Sequence, residues 1–325
     1  MDKYTKEILD LLKTSYKRVA GIRPYQTESE ARAYYLKDLN DNFYQPMNDE
    51  TAAAYGRGSG NEIASGKMNA LRSSSAMTYN LLGNGPVEII APASSFSKET
   101  AVPRIGAGQY RVEFEKQYPT LKLSASNRPA NLDAFLYCEE TKEAVACEMK
   151  MTEWIFNKPG QLKNKYLDPA NYMNEEAGKT FVEIAEELIL WNDYDAGEET
   201  CDVYPCRMTR YDAFQMFKHT IALYNACSQS EHEKIRKLTL ANCVWMLPDP
   251  RALSTKHCQR YQDEETAEHK EFQIFKEIMN PANRLFSDID VDFGIEFYTF
   301  NEFLSMLKKE AAELAYLKRY TLMDI

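Results

Sequence analysis

NLDAFLYCEETKEAVACEMKMTEW, residues 131–154, alternates with period two on both sides of a polar break. Leu132, Ala134, Leu136 and Cys138 alternate with Asn131, Asp133, Phe135 and Tyr137. After the break EETKE, Val145, Cys147, Met149 and Met151 alternate with Ala146, Glu148, Lys150 and Thr152. Ala, Leu, Glu, Lys and Met all favour helix by intrinsic propensity. Periodicity overrides that here, because neighbours in a strand point to opposite faces. The stretch therefore predicts two strands joined by a tight turn, even without the glycine of the strongest hairpin signals. A turn centred between Glu140 and Thr141 sets Asp133 directly opposite Glu148 and puts Lys150 on the same face. Ala134, Leu136, Val145 and Cys147 share the other face and form a core. In a helix Glu148 and Lys150 would not share a face at all.

Two carboxylates facing each other across a ladder repel unless a cation lies between them. Mg²⁺ fits that position, since it takes oxygen ligands and is commonly held by one or two carboxylates plus waters and substrate phosphate. Such an ion polarises a phosphate and lowers the pKa of a bound water. A lysine beside it can orient that water or offset developing charge.

Outward from the hairpin, the 325 residues are 44% hydrophobic and 12% aromatic, enough for a sizeable core and unlike a disordered chain. Lys and Arg number 39 against 49 Asp and Glu, a net charge of -10. That argues against unspecific coating of nucleic acid, which needs phosphate neutralisation over a broad surface, but leaves room for a local basic groove. The seven cysteines include no CxxC pair and read as idle thiols, with neither a disulfide framework nor a zinc site. The opening MDKYTKEILDLLKTSYKRV is a polar amphipathic helix without an apolar leader region, and no run reaches the ~18 apolar residues of a membrane span. The expectation is a cytoplasmic protein with no membrane partner.

Residues 1 to 50 read as mainly helical. GRGSG at 56–60 lacks the spacing and trailing Lys-Ser/Thr of a phosphate cradle and reads as a loop, with Asn61 a candidate cap for a helix over 62–82. Residues 109–115 alternate as a strand. Helices are expected over 171–190 and 211–227, the latter capped by Asp212 or Thr209. A buried strand spans 237–248 and another 294–300, and a closing helix follows with Asn301 as its cap.

With these residues in place, NLDAF…ACEMK resembles the catalytic hairpin of the PD-(D/E)XK nuclease superfamily. GNEIASGKMNALRSSSAMTYNLLG, VEFE, RPANLDAFL, CEMKMTEW and YDAFQMFKHTIALYNA, in that order, resemble a bacterial restriction-endonuclease-like branch of it, over roughly residues 60–300. Leu132 stands where a proline commonly precedes the motif's Asp. The resemblance implies an α/β fold: a restriction-endonuclease-like core with a central mixed sheet, an antiparallel hairpin plus a strand added in parallel, flanked by helices. Residues 1–58 would be a helical N-terminal extension and 59–325 the nuclease domain, with a helical insertion at about 155–208. It further implies Mg²⁺, with Mn²⁺ as substitute, held by Asp133, Glu148 and Glu62. Lys150 would assist the attacking water and Gln215 would join the catalytic set. His219, four residues past Gln215, reads as structural and stays outside that set. Glu113 reads as surface charge, and Glu153 as either an extension of the acidic cluster or a strand-end cap. Arg104, Arg128, Lys158, Lys163 and Lys165 are candidate phosphate contacts, and Trp154 and Phe156 candidate stacking residues with a core role as their alternative.

The expected activity is metal-dependent endonucleolytic hydrolysis of DNA, in restriction or another defence role, with a homodimer as one possible assembly. Two alternatives stay open. One is a nuclease-fold module without turnover that binds DNA or a protein partner. The other is an interaction protein whose hairpin charges are merely solvated.

Overall fold

The computed structural model describes the chain except residues 20–24, 28, 59–60, 91–103, 123–127, 191–202, 230–234 and 323–325. Its strands are β1 (Val87–Ile89), β2 (Gly108–Tyr118), β3 (Ala130–Cys138), β4 (Glu143–Lys150), β5 (Gln161–Lys163), β6 (Val203–Pro205), β7 (Lys237–Val244) and β8 (Asp292–Thr299). Its helices are α1 (Lys3–Val19), α2 (Asp49–Arg57), α3 (Ser74–Leu82), α4 (Glu153–Phe156), α5 (Glu175–Leu188), α6 (Ala213–Gln229), α7 (Thr255–Ile278), α8 (Asn280–Ser287), α9 (Phe300–Ser305) and α10 (Ala311–Thr321). The architecture is α/β. A six-stranded sheet runs in the order β1-β2-β3-β4-β7-β8, and β5 pairs with β6 as a separate ribbon.

The hairpin forms in the expected register. Ala134 pairs with Cys147, Leu136 with Val145 and Cys138 with Glu143, which places Asp133 and Glu148 opposite each other one step beyond the last paired residues. Lys142 closes the turn with φ of 57°, the left-handed region a glycine would occupy more cheaply. β1 to β4 are antiparallel, whereas β7 runs parallel to β4 and β8 parallel to β7. β4 is therefore the strand at which the sheet changes from antiparallel to parallel pairing.

Both faces of the hairpin are covered, where alternation alone predicts one core. Ala134, Leu136, Val145 and Cys147 join a cluster with Tyr79, Trp245, Phe303 and Tyr320, under α1, α3, α9 and α10. Phe135, Tyr137, Ala144 and Ala146 join a second with Phe181, Phe217, Phe272 and Phe286, from α5, α6, α7 and α8. Cover on both sides accounts for the almost unbroken burial of β7, polar Thr239 and Asn242 included. Tyr4, Ile8, Leu9 and Leu12 of α1 belong to the first cluster, so the N-terminal helix packs into the main body.

Several boundaries differ from the sequence reading. The helix expected over 62–82 begins only at Ser74, capped by Ser73, whose side chain accepts from the Ala76 N–H. Gly66 at φ of 70° interrupts it, and residues 67–69 form a 3₁₀ turn. Asn61 sits at φ of 45° and caps nothing, because an N-cap needs extended backbone. Residues 1–50 contain α1, the start of α2 and short 3₁₀ turns between them. The closing helix is two helices. α9 is capped by Thr299 in a capping box with Glu302 rather than by Asn301. The 24-residue α7 has no counterpart in the sequence reading.

Candidate active site

The carboxyl end of β4 opens into a cavity of about 1060 Å³. In sheets with parallel strands this is where ligands gather. Besides β4 itself, most of its lining comes from residues 62–75 before and into α3, the β2–β3 pair and its loop, the connection after β4, and α6. Asp133, Glu148, Lys150, Glu62 and Gln215, the residues singled out from sequence, all line it.

Glu148 lies at the floor, 2% exposed. Lys150, two residues on and therefore on the same face of β4, brings Nζ to 2.7 Å from Glu148 Oε1. Gln215 links the two. Its Nε2 donates to Glu148 Oε1 at 2.8 Å, and its Oε1 accepts from Lys150 Nζ at 2.6 Å. α6 starts at its cap Asp212, whose side chain accepts from the Gln215 N–H at 3.2 Å. One turn further along α6, His219 Nε2 lies 2.9 Å from Glu148 Oε2, and as donor it satisfies that oxygen. His219 thus belongs to the site, whereas the sequence reading leaves it outside. Its i, i+4 spacing from Gln215 is the signal that it faces the same group.

Burial pushes Glu148 up, but Lys150 and His219 outweigh it and hold its carboxyl below the ordinary range. Burial likewise opposes the Lys150 charge, and Glu148, Asp212, Asp133 and Glu153 overcome it, so Lys150 stays firmly protonated. Asp133, half-buried at the cavity wall, behaves differently. Its Oδ2 accepts from the Met149 N–H at 2.7 Å. Even so, burial, then repulsion from Glu148, lift it out of the ordinary carboxylate range.

Sequence reasoning missed Glu115. The sequence reading considers only Glu113 on this strand, and it is a surface residue paired with Arg111 and Lys116. Glu115 adopts φ of 52°, and the β2–β3 ladder skips the Glu115–Asp133 position. Its side chain is thereby turned into the cavity, where it accepts from Asn131 Nδ2. Gly58 packs against it so closely that any side chain there would collide with the carboxylate. Burial, with the charges of Glu62 and Glu148, raises Glu115 to about 7. Glu62 stands at the rim, in the turns before α3 and not in a helix, and pairs with Lys67 at 3.3 Å. Glu153 Oε2 accepts from the Met151 N–H at 2.6 Å and so caps the strand end.

Among the candidate phosphate contacts, Arg128, Lys163 and Lys165 line the cavity. Lys158 lines a smaller one of about 120 Å³ beside it. Arg104 faces elsewhere, bound to the carbonyl and carboxylate of Asp292 on β8. Trp154 is core: its Nε1 donates to the Met151 and Trp245 carbonyls. Phe156 packs against the first cluster.

Among the described residues no group of three or more His, Cys, Asp and Glu side chains is arranged to hold a metal ion. Mg²⁺ does not require one, since it keeps several waters and uses one or two carboxylates. Asp133 and Glu148 match that donor set. Lys150, Gln215 and His219 use three of the roughly four lone-pair sites of Glu148. The raised Asp133 is the group a cation would relieve.

No family model, curated protein or solved structure matches this chain. No helix among the described residues is long and apolar enough to cross a membrane.

Proposed function

We propose that this chain is a divalent-metal-dependent nuclease with a restriction-endonuclease-like core, hydrolysing phosphodiester bonds in DNA. One observation carries the reading: Asp133 and Glu148 occupy facing positions on adjacent strands at the wall of a large cavity, with protonated Lys150 two residues beyond Glu148. The order of elements agrees with it, as α3, β2, β3, β4, α6 and then β7 parallel to β4 follow the succession the resemblance implies. Asp133 and Glu148 would hold Mg²⁺ or Mn²⁺, with Glu62 at the rim and buried Glu115 beside them as further carboxylates. When bound, the ion polarises the scissile phosphate and acidifies a coordinated water.

The chain's own groups do the rest. Lys150 presents N–H donors to a phosphate oxygen and offsets charge developing there. Gln215 fixes the Lys150 and Glu148 side chains relative to each other, and His219 holds Glu148 from behind. A restriction or defence role rests on the resemblance alone, and a homodimer would serve for cutting both strands. A DNA-binding module without turnover is favoured only by the closed network around Glu148.

The test is incubation of genomic DNA, native and heat-denatured, with pure protein and Mg²⁺ or Mn²⁺, beside Lys150→Ala and Asp133→Asn. Cleavage by wild type that falls at least about 10²- to 10³-fold in each variant is expected. Intact DNA with wild type, or equal cleavage by all three, would remove the nuclease assignment.

A further inference from the structure

The cavity is polar in a second sense, because its lining carries charges of both signs. Glu115, Asp133 and Glu148 come to it from β2, β3 and β4. Other elements, β5, the turn after it and α6, bring three lysines to the lining, Lys163, Lys165 and Lys218. They reach it for local reasons. In β5, Leu162 is fully buried in the second core, so strand alternation turns Lys163 outward to the cavity. The following 3₁₀ turn, Asn164–Leu167, bears Lys165. That turn is anchored, since the Lys165 carbonyl accepts from Asn171 Nδ2 at 2.9 Å and the Tyr166 carbonyl from the Tyr172 hydroxyl at 2.8 Å. Lys218 comes from α6, three residues past Gln215 and one before His219, on the face that already meets Glu148.

These cations oppose one another. Burial, then Lys163 and Lys218, push Lys165 below the ordinary lysine range. Burial, then Lys150 and Lys163, push Lys218 down against the pull of Asp212 and Glu148. Like charges gathered in a concave wall are costly. An anion entering the wall would relieve that repulsion.

We infer that Lys163, Lys165 and Lys218 form an oxyanion subsite that takes a phosphate of the substrate strand other than the one attacked. The acidic wall receives the metal and the scissile group, and the basic wall grips a neighbouring phosphate and fixes the direction in which the strand crosses the cavity. That the phosphate belongs to a nucleic-acid strand rests on the nuclease reading. The phosphate chemistry itself follows from the lysines.

Metal-free binding separates the two ideas. Fluorescence anisotropy of a labelled single-stranded oligonucleotide in EDTA, at several salt concentrations, would be measured for wild type, Lys163→Ala/Lys165→Ala, Lys218→Met, Lys218→Arg and Asp133→Asn. The lysine subsite predicts affinity about tenfold or more weaker in the double variant and in Lys218→Met, with largely retained affinity in Lys218→Arg. The slope of log affinity against log salt should flatten by about 0.7 for each phosphate that is no longer neutralised. Unchanged affinity and slope in the double variant, whose side chains are on the cavity surface and whose fold is checked by its melting temperature, would overturn the subsite even if Lys218→Met fails to fold. Inorganic phosphate that binds wild type while the oligonucleotide does not would overturn the strand as its source. Asp133→Asn should fail to cut with Mg²⁺. Full cutting by Asp133→Asn would remove Asp133 from the site, and intact DNA with wild type and Mg²⁺ would sink the nuclease reading, each leaving the lysine result standing.

Discussion

Glu264 and Glu115 are the same residue type, 5% and 9% exposed, in two different settings. Glu264, on α7, is enclosed by complementary groups. Tyr4 donates to its Oε2 at 2.6 Å, while Arg210 and Arg260 approach its Oε1 at 3.1 and 3.0 Å. That arrangement ties α1 and the segment before α6 to α7, and it is complete as it stands. Glu115 has the Asn131 amide and, for charged neighbours, Glu62 and Glu148. A buried carboxylate surrounded by donors is structural, whereas one surrounded by other carboxylates is stable only when protonated or when a cation arrives. The contrast separates a self-contained ion cluster from one built to receive a ligand, using only the identity of the neighbours.

The largest effect should come from adding the cation. Mn²⁺ at about 100 times its dissociation constant should stabilise wild type by about 2.7 kcal/mol, read as a rise in melting temperature. Asp133→Asn should lose that rise completely, and Glu264→Gln should keep it. A rise retained in Asp133→Asn, or lost in Glu264→Gln, would break the comparison. Because Asp133 is raised in the folded state, its replacement by neutral Asn should also leave the metal-free protein at least as stable as wild type near pH 8.

A smaller effect is expected from pH. Glu115 has an ordinary value of 4.5 and rises to about 7 when folded. Between those values the unfolded chain has already lost the proton that the folded chain retains. Stability from this group is therefore full below about 4.5 and is lost as pH rises through about 7. Glu115→Gln should flatten that slope in metal-free chemical denaturation and stabilise the protein by about 3 kcal/mol at pH 8. The same substitution at Glu264 should destabilise at every pH between 5 and 9, since it removes charge from two arginines.

The smallest effect sharpens the picture at Glu148. Gln215→Ala removes the amide bridging Glu148 and Lys150 without touching either charge. A loss of about tenfold in cleavage rate, with folding stability nearly unchanged, is the expected outcome. A loss as large as that of Lys150→Ala would mean that Gln215 contacts substrate itself.

Much of the site is legible in the chain because its central piece is a hairpin. Asp133, Glu148 and Lys150 are related by strand alternation and one turn, and Gln215 by its place on the next helix. Glu115 is illegible for a definite reason. Alternation puts Glu113 and Glu115 on one face of β2 and cannot choose between them; the left-handed backbone at Glu115, packed against Gly58, separates the two, turning Glu115 into the cavity and leaving Glu113 at the surface. His219 is legible by spacing but gains meaning only with Gln215 seated beside Glu148. The Ser74 start of α3 escapes detection because the helix-compatible residues before it are interrupted by Gly66. Arg104 is misassigned from sequence because proximity along the chain to the hairpin says nothing about which side of the sheet a loop residue meets.

By itself, the amino-acid order determined the strand pairing, the faces of the hairpin and the three groups at its open end, because period and register are set over a few residues. Tertiary packing alone decided that both faces would be buried, that Glu115 and His219 would join the site, and that lysines from β5, its following turn and α6 would gather in the same cavity as the carboxylates. His219 meets Glu148 across 71 residues of chain, and Lys218 lies 55 residues past Lys163. Local alternation carries no information over such separations, and only burial of two apolar clusters against one sheet fixes them.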